Sequence, residues 1–144
     1  MIEINNLTAI SVQKYFIKGI TRKVLKEENK KKAGLSIVLM DSDQMKKLNK
    51  KYLKRNRATD VLTFGQSKEF PITPESKAHL GEIVICPQEV EKNAKFHSSS
   101  FKKELARALI HGILHLLGYK HRIPRGKAEA MGKKEKYYLE KFFQ

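Results

Sequence analysis

Residues 104–121 read ELARALIHGILHLLGYKH. Successive residues of a helix advance about 100° around its axis. On that projection Glu104, Ala108, His111 and His115 share a narrow arc, while Leu105, Leu109, Ile110, Ile113, Leu116 and Leu117 cover most of the remainder. A helix that is apolar nearly all round belongs in the interior. Its single polar stripe holds two histidines, and buried polar groups need partners.

Working outward, the flanking segments supply the packing. On the N-terminal side, Ser98–Ser100 offers an N-cap for this helix, and Pro87 suits the first turn of another running to about His97. "GEIVIC" (Gly81–Cys86) and Asp60–Phe64 read as strands, with "RNRATDVLTF" a basic loop entering the second of them. The segment from Gly65 to Leu80, with Pro71 and Pro74, reads as a long loop or an irregular hairpin. Earlier still, "LSIVLMD" (Leu35–Asp41) is a β-rich central strand, followed by a helix capped at Ser42 and running to about Leu53. Ser11–Asn29 repeats Val12, Phe16, Ile20 and Val24 at helical spacing, and "MIEINNL" is a short first strand. After the histidines, a last amphipathic helix spans about Gly126 to Phe143, with Ala128, Met131, Glu135, Tyr138, Leu139 and Phe142 close to one side.

Short strands early and helices late predict an α+β domain over residues 1–144. It has a single small mixed sheet of about four strands packed with about five helices. No repeat or low-complexity tract divides the chain, and 144 residues at 40% hydrophobic content suffice for one core. No apolar run approaches the roughly 20 residues of a membrane span. The N-terminus lacks the charged-then-apolar order of a signal peptide. Cys86 is the one cysteine, which excludes an internal disulfide and fits a reducing, cytoplasmic setting. Thirty Lys and Arg against 15 acidic residues give a net charge of +15, a field that attracts polyanions, nucleic acid first among them.

His111 and His115 are i and i+4, so their rings project from adjacent turns and reach one metal ion. Gly118 can end the helix in a left-handed conformation and turn the chain back, which brings His121 toward the same point. Three imidazoles fit tetrahedral Zn²⁺ and leave one position for water, the arrangement of a catalytic rather than a structural site. Imidazoles also accept other divalent transition metals. His79 and His97 lack this spacing and read as ordinary surface or loop histidines.

The same histidine spacing occurs in metzincin proteases, which place a glutamate directly after the first histidine as general base. Here that position is Gly112, which accepts no proton. Glu104, two turns earlier, reads as support for a ligand or as a helix-start carboxylate favoured by the dipole. Peptide hydrolysis is therefore the weakest of the hydrolytic readings.

"HGILHLLGYKH" (His111–His121) resembles the H-G-x-L-H-L-x-G-Y-D-H signature of the YbeY family, metal-dependent single-strand endoribonucleases of ribosomal RNA maturation. "LNKKYL" with "ATDVLTF" is similar to that family's L-N-x-x-Y followed by P-T-D-V-L-S-F. "GEIVIC" is similar to its G-D-I-V-I strand, and "ELARALIHG" to its E-L-x-x-L-x-x-H-G approach. The resemblance implies a small sheet surrounded by helices, with His111, His115 and His121 as ligands of one metal ion, Zn²⁺ by ligand type. It implies cleavage of single-stranded RNA, maturation of the 16S rRNA 3′ end, ribosome quality control, a ribosomal subunit as partner and a cytoplasmic location. Neither a membrane nor DNA is an expected partner.

Three positions depart from the signature. Lys120 replaces its aspartate, Ala58 its proline, and Leu53 the arginine that follows its tyrosine. Arg55 and Arg57 are the nearest candidates to take over phosphate and transition-state contacts. A non-enzymatic alternative, a metal-stabilised ribosome-assembly or RNA-binding protein, fits the charge equally well.

Overall fold

The computed structural model describes residues 1–65, 79–119 and 125–143, with side chains from residue 130 onward in the last segment. The elements are β1 (Ile2–Asn6), α1 (Lys14–Glu27), β2 (Gly34–Leu39), α2 (Ser42–Leu53), β3 (Val61–Gly65), β4 (His79–Ile85), α3 (Pro87–Phe96), α4 (Phe101–Leu116) and α5 (Arg125–Phe142). Among the described residues this is a four-stranded mixed sheet with five helices, the expected α+β class. The expected loop containing Pro71 and Pro74 lies largely outside the described residues.

The strand order is β1-β2-β4-β3. β1, β2 and β4 are parallel, and β3 closes one edge antiparallel to β4, with Val61 opposite Ile85 and Gly65 opposite Gly81. Strands that cross a sheet between two covered faces are apolar on both sides. Accordingly Leu35, Ile37 and Leu39 of β2, with Ile83 and Ile85 of β4, join the main core under α1, α3, α4 and α5. Val84, Leu62 and Cys86 face the other way and pack with Met45 of α2.

α4 is the central helix. It packs against α1, α3, α5 and strands β3 and β4. Leu105, Leu109, Ile110, Ile113 and Leu114 are all essentially inaccessible, as the all-round apolar pattern predicts. Burying five aliphatic side chains contributes on the order of 10 kcal/mol before chain entropy is subtracted. The start of α4 meets the start of α1, with Lys102 Nζ 4.7 Å from the Phe16 ring. Tyr119, just past α4, reaches Glu28, just past α1. The two helices therefore run in the same direction.

Three expectations need correction. Asp41, not Ser42, caps α2: its carboxylate accepts from the Gln44 N–H at 2.9 Å, and Ser42 is the first helical residue. Both side chains are good caps, so the sequence alone left the choice one residue off. β4 begins at His79 rather than Gly81, because the parallel ladder extends to Gly34 opposite His79. His79 is therefore a half-buried strand residue within 3.3 Å of the Ser36 hydroxyl, not a loop histidine.

Candidate active site

Ser100 starts α4 by accepting from the Lys103 N–H at 3.1 Å, as the serine run suggested. One turn in, Glu104 is 96% buried, with Oε1 3.4 Å from Arg107 Nε and 3.8 Å from His97 Nδ1. No hydrogen bond from a described residue completes that oxygen. This carboxylate is held at the α3–α4 junction. His97, at the C-terminal end of α3, faces it as an exposed partner.

Two turns further, the rings of His111 and His115 lie 4.8 Å apart at 62° to one another, both half-buried. Helical spacing alone accounts for this convergence. Between them Gly112 faces the sheet. A Cβ added there would stand 2.9 Å from Ile83 Cγ2 and within 3.4 Å of two further Ile83 carbons. Glycine at 112 is thus a packing requirement: it lets α4 sit down on β4. A glutamate here would be driven into Ile83.

α4 ends as predicted. Gly118 takes φ +103°, its N–H donates to the His115 carbonyl at 3.0 Å, and the Tyr119 N–H donates to the Leu114 carbonyl at 3.0 Å. These two bonds are the 5→2 and 6→1 pairs of a Schellman motif, which residues with a Cβ close poorly. The Tyr119 hydroxyl then donates to Glu28 at 2.7 Å. Lys134 Nζ donates to Glu28 at 3.0 Å, and the Tyr138 hydroxyl also donates to it. Burial alone would raise the Glu28 carboxyl, but the bonds from Tyr138, Tyr119 and Lys134 outweigh it and hold the group below the ordinary carboxylate range. The chain leaving the histidine helix is therefore anchored one residue past its glycine. Lys120 and His121, which follow, lie outside the described residues.

The carboxylate that meets the histidine pair is Glu135 of α5, whose Oε1 contacts His111 Nδ1. Sequence reasoning placed Glu135 on the inner side of the last helix without giving it a role. The available signal was its charge, since a carboxylate among Met131, Tyr138 and Leu139 needs a partner. Beside it, a groove of about 340 Å³ between α4 and α5 is lined by Lys103, Arg107 and Lys136 together with Glu135 and Glu140, with Ile110 and Leu139 beneath.

Arg55 and Arg57 occupy the exposed loop between α2 and β3. Asn49 holds that loop: its carbonyl accepts from the Arg55 N–H at 3.4 Å and its side-chain amide donates to the Arg57 carbonyl at 2.9 Å. α2 packs on the face of the sheet opposite α4, and no described contact joins either arginine to the histidines. Leu53, at the end of α2, is half exposed. Among the described residues no three His, Cys, Asp or Glu side chains gather as a metal site. His111 and His115 supply two imidazoles on one half-open face, a donor pair whose chemistry suits Zn²⁺.

The fold and the paired histidines on its central helix define a small α+β hydrolase-type scaffold. The sequence matches the family described as Endoribonuclease YbeY over residues 3–143, and the chain belongs to that family. Among its relatives, an Endoribonuclease YbeY of Thermotoga petrophila is 40% identical over 119 residues, covering 81% of this chain and 74% of that one. Another, from Renibacterium salmoninarum, is 36% identical over 135 residues, covering 91% and 86%. The solution structure of a Thermotoga maritima protein superposes with a TM-score of 0.65 at 32% identity, covering 97% of this chain and 87% of that one.

Proposed function

We propose that this protein is a zinc-dependent endoribonuclease that cuts single-stranded RNA during ribosomal RNA maturation, with a ribosomal subunit as its partner in the cytoplasm. The observation that carries the proposal is the convergence of His111 and His115 on one open face of the buried helix, within the family's own signature. His121 is the third ligand in this reading. No described helix is long and apolar enough to cross a membrane, which is consistent with the proposed location.

The residues divide the work. The two imidazoles, as neutral nitrogen donors, would hold one ion together with His121. When bound, the ion supplies Lewis acidity on a phosphate oxygen and lowers the pKa of a coordinated water to roughly 7. Lys103, Arg107 and Lys136 along the α4–α5 groove offer cations to the RNA backbone. Arg55 and Arg57 are the candidates to offset charge developing on phosphorus. Gly112 contributes no proton acceptor, and Ile83 leaves little room for a carboxylate side chain at that position, which argues against peptide chemistry.

The test is cleavage of a single-stranded RNA by purified protein with Zn²⁺, beside a His115→Ala control. Equal cleavage by the two would refute the site. Elemental analysis should find close to one ion per chain, lost in His111→Ala. A substrate with a single 2′-deoxy position separates the two nucleophiles: cleavage there requires water, and its loss points to the RNA 2′-hydroxyl.

A second reading, an assembly factor that binds RNA with little cleavage, is favoured by the half-exposed Leu53 standing where the family has arginine. RNA binding by both parent and His115→Ala, without cleavage by either, would establish it.

A further inference from the structure

We infer that Glu135 is a positioning residue for His111: it fixes the imidazole through Nδ1, so that Nε2 is the nitrogen presented on the side shared with His115. The inference rests on the metal reading above and adds to it a residue from a different helix, 24 positions away in sequence.

Three observations carry it. Glu135 Oε1 contacts His111 at Nδ1, one specific ring nitrogen. Among the described contacts this is the carboxylate's only ion pair. A carboxylate at Nδ1 holds the proton on that nitrogen, leaving a lone pair on Nε2, and orients the ring. Second, α5 holds the carboxylate in place. Met131 and Tyr138, four residues before and three after Glu135, lie on the same helix face and are fully buried in the main core. The Tyr138 hydroxyl and Lys134 also tie α5 to Glu28. Third, Glu135 is itself about three-quarters buried, and a carboxylate so placed is costly unless paired. Glu104 shares a stripe with the histidines but is taken up by Arg107 and His97, so it leaves this role open.

The experiment has two readouts on the full-length chain, neither of them activity. In metal-free protein with ¹⁵N-labelled histidine, at a pH where the imidazoles are neutral, two-bond proton–nitrogen correlations give the tautomer of His111. The parent should show the proton on Nδ1, Glu135→Ala should shift it toward Nε2, and Glu135→Gln, which still offers an acceptor oxygen, should shift it less. In parallel, Zn²⁺ titration against a chromophoric chelator should show weakening of roughly 10- to 100-fold in Glu135→Ala, and less in Glu135→Gln. Circular dichroism reports whether each variant is folded, and Lys133→Ala, an exposed residue of the same helix, should leave both readouts unchanged. A parent carrying its His111 proton on Nε2 would overturn the inference. So would a folded Glu135→Ala that binds Zn²⁺ as tightly as the parent. A parent that binds no Zn²⁺ while showing the Nδ1 tautomer would instead overturn the metal reading and leave the contact standing as a structural pair.

Discussion

One face of the sheet lies under four helices and carries the histidine pair; the other lies under α2 and carries the arginine loop. On the first face, aliphatic side chains from α1, α3, α4, α5, β2 and β4 close on one another almost without exposure. An imidazole projecting from such a helix inherits its rigidity. On the second face the cover is thinner: Met45, Leu62, Val84 and Cys86 form the buried part. Asn49 holds the loop with two hydrogen bonds, and its own side-chain oxygen finds no partner among the described residues. The contrast assigns different work to each face. The packed face can fix atoms to the fraction of an ångström that bond-making chemistry needs. The looser, basic face can follow a flexible polyanion, a task that needs charge more than precision.

The largest expected effect is on the packed face. His115→Ala removes one imidazole of the pair and should lower RNA cleavage by more than about 100-fold, beyond what loss of a supporting partner costs. Measured on metal-free protein, its melting temperature should change little, because His115 is half-buried and outside the apolar cluster. A variant that lost both activity and fold would erase the distinction between scaffold and site.

Gly112→Glu comes next. It recreates the histidine–glutamate pairing of metalloproteases, yet the first added carbon already stands 2.9 Å from Ile83. Overpacking and a buried unpaired charge together should cost about 3 kcal/mol or more. Gly112→Ala should cost less, since better helix propensity returns up to about 1 kcal/mol. Chemical denaturation measures both. A stable Gly112→Glu would mean that α4 does not seat on β4 as described.

The Glu28 anchor links the packed face to the segment that follows Gly118. Glu28→Ala strands the buried Tyr138 hydroxyl along with Tyr119 and Lys134, and should cost about 2 kcal/mol. Glu28 is depressed from its ordinary 4.5, so its contribution is whole above that pH and is lost as pH falls through the lowered folded value. Lys134 is raised above 10.5 by its bond to Glu28. Tyr138 is raised above 10.0, by burial first and by Glu28 second. Those contributions are whole at neutral pH and fade as pH climbs past about 10. Denaturation midpoints measured against pH should therefore fall at both ends in the parent, with the acid-side fall reduced in Glu28→Ala.

Much of this molecule was legible because its signals are local. Periodicity located α4 and its buried face, Ser100 and Gly118 marked its ends, and i,i+4 spacing joined His111 to His115. The order β1-β2-β4-β3 was not legible, since nothing local in a parallel strand names its neighbour. The same holds for side chains that meet across the fold. Glu28 and Tyr119 are 91 positions apart, and Glu135 reaches His111 only because Met131 and Tyr138 dock α5. Of the two readings of Glu104, the helix-start carboxylate is the one the structure bears out: it lies in the first turn of α4 and pairs with Arg107 and with His97 at the end of α3, although it shares the histidines' helical stripe.

The smallest effect belongs to the basic face, and it is the sharpest test of the contrast. Arg55 and Arg57 are exposed, and among the described contacts only their backbones are tied, to Asn49. Replacing either by alanine should move stability by less than about 0.5 kcal/mol. If they touch RNA phosphates, each loss weakens binding similarly across sequences and reduces the slope of log affinity against log salt by about 1. Binding curves at several salt concentrations measure that slope directly. A change in slope with the cleavage rate at saturating RNA intact would make the loop a grip, served by the looser face. A fall in that rate with the slope unchanged would move the arginines into the chemistry. It would also require the loop to reach around β3 to the histidine side when RNA is bound, and the division of labour between the two faces would fail.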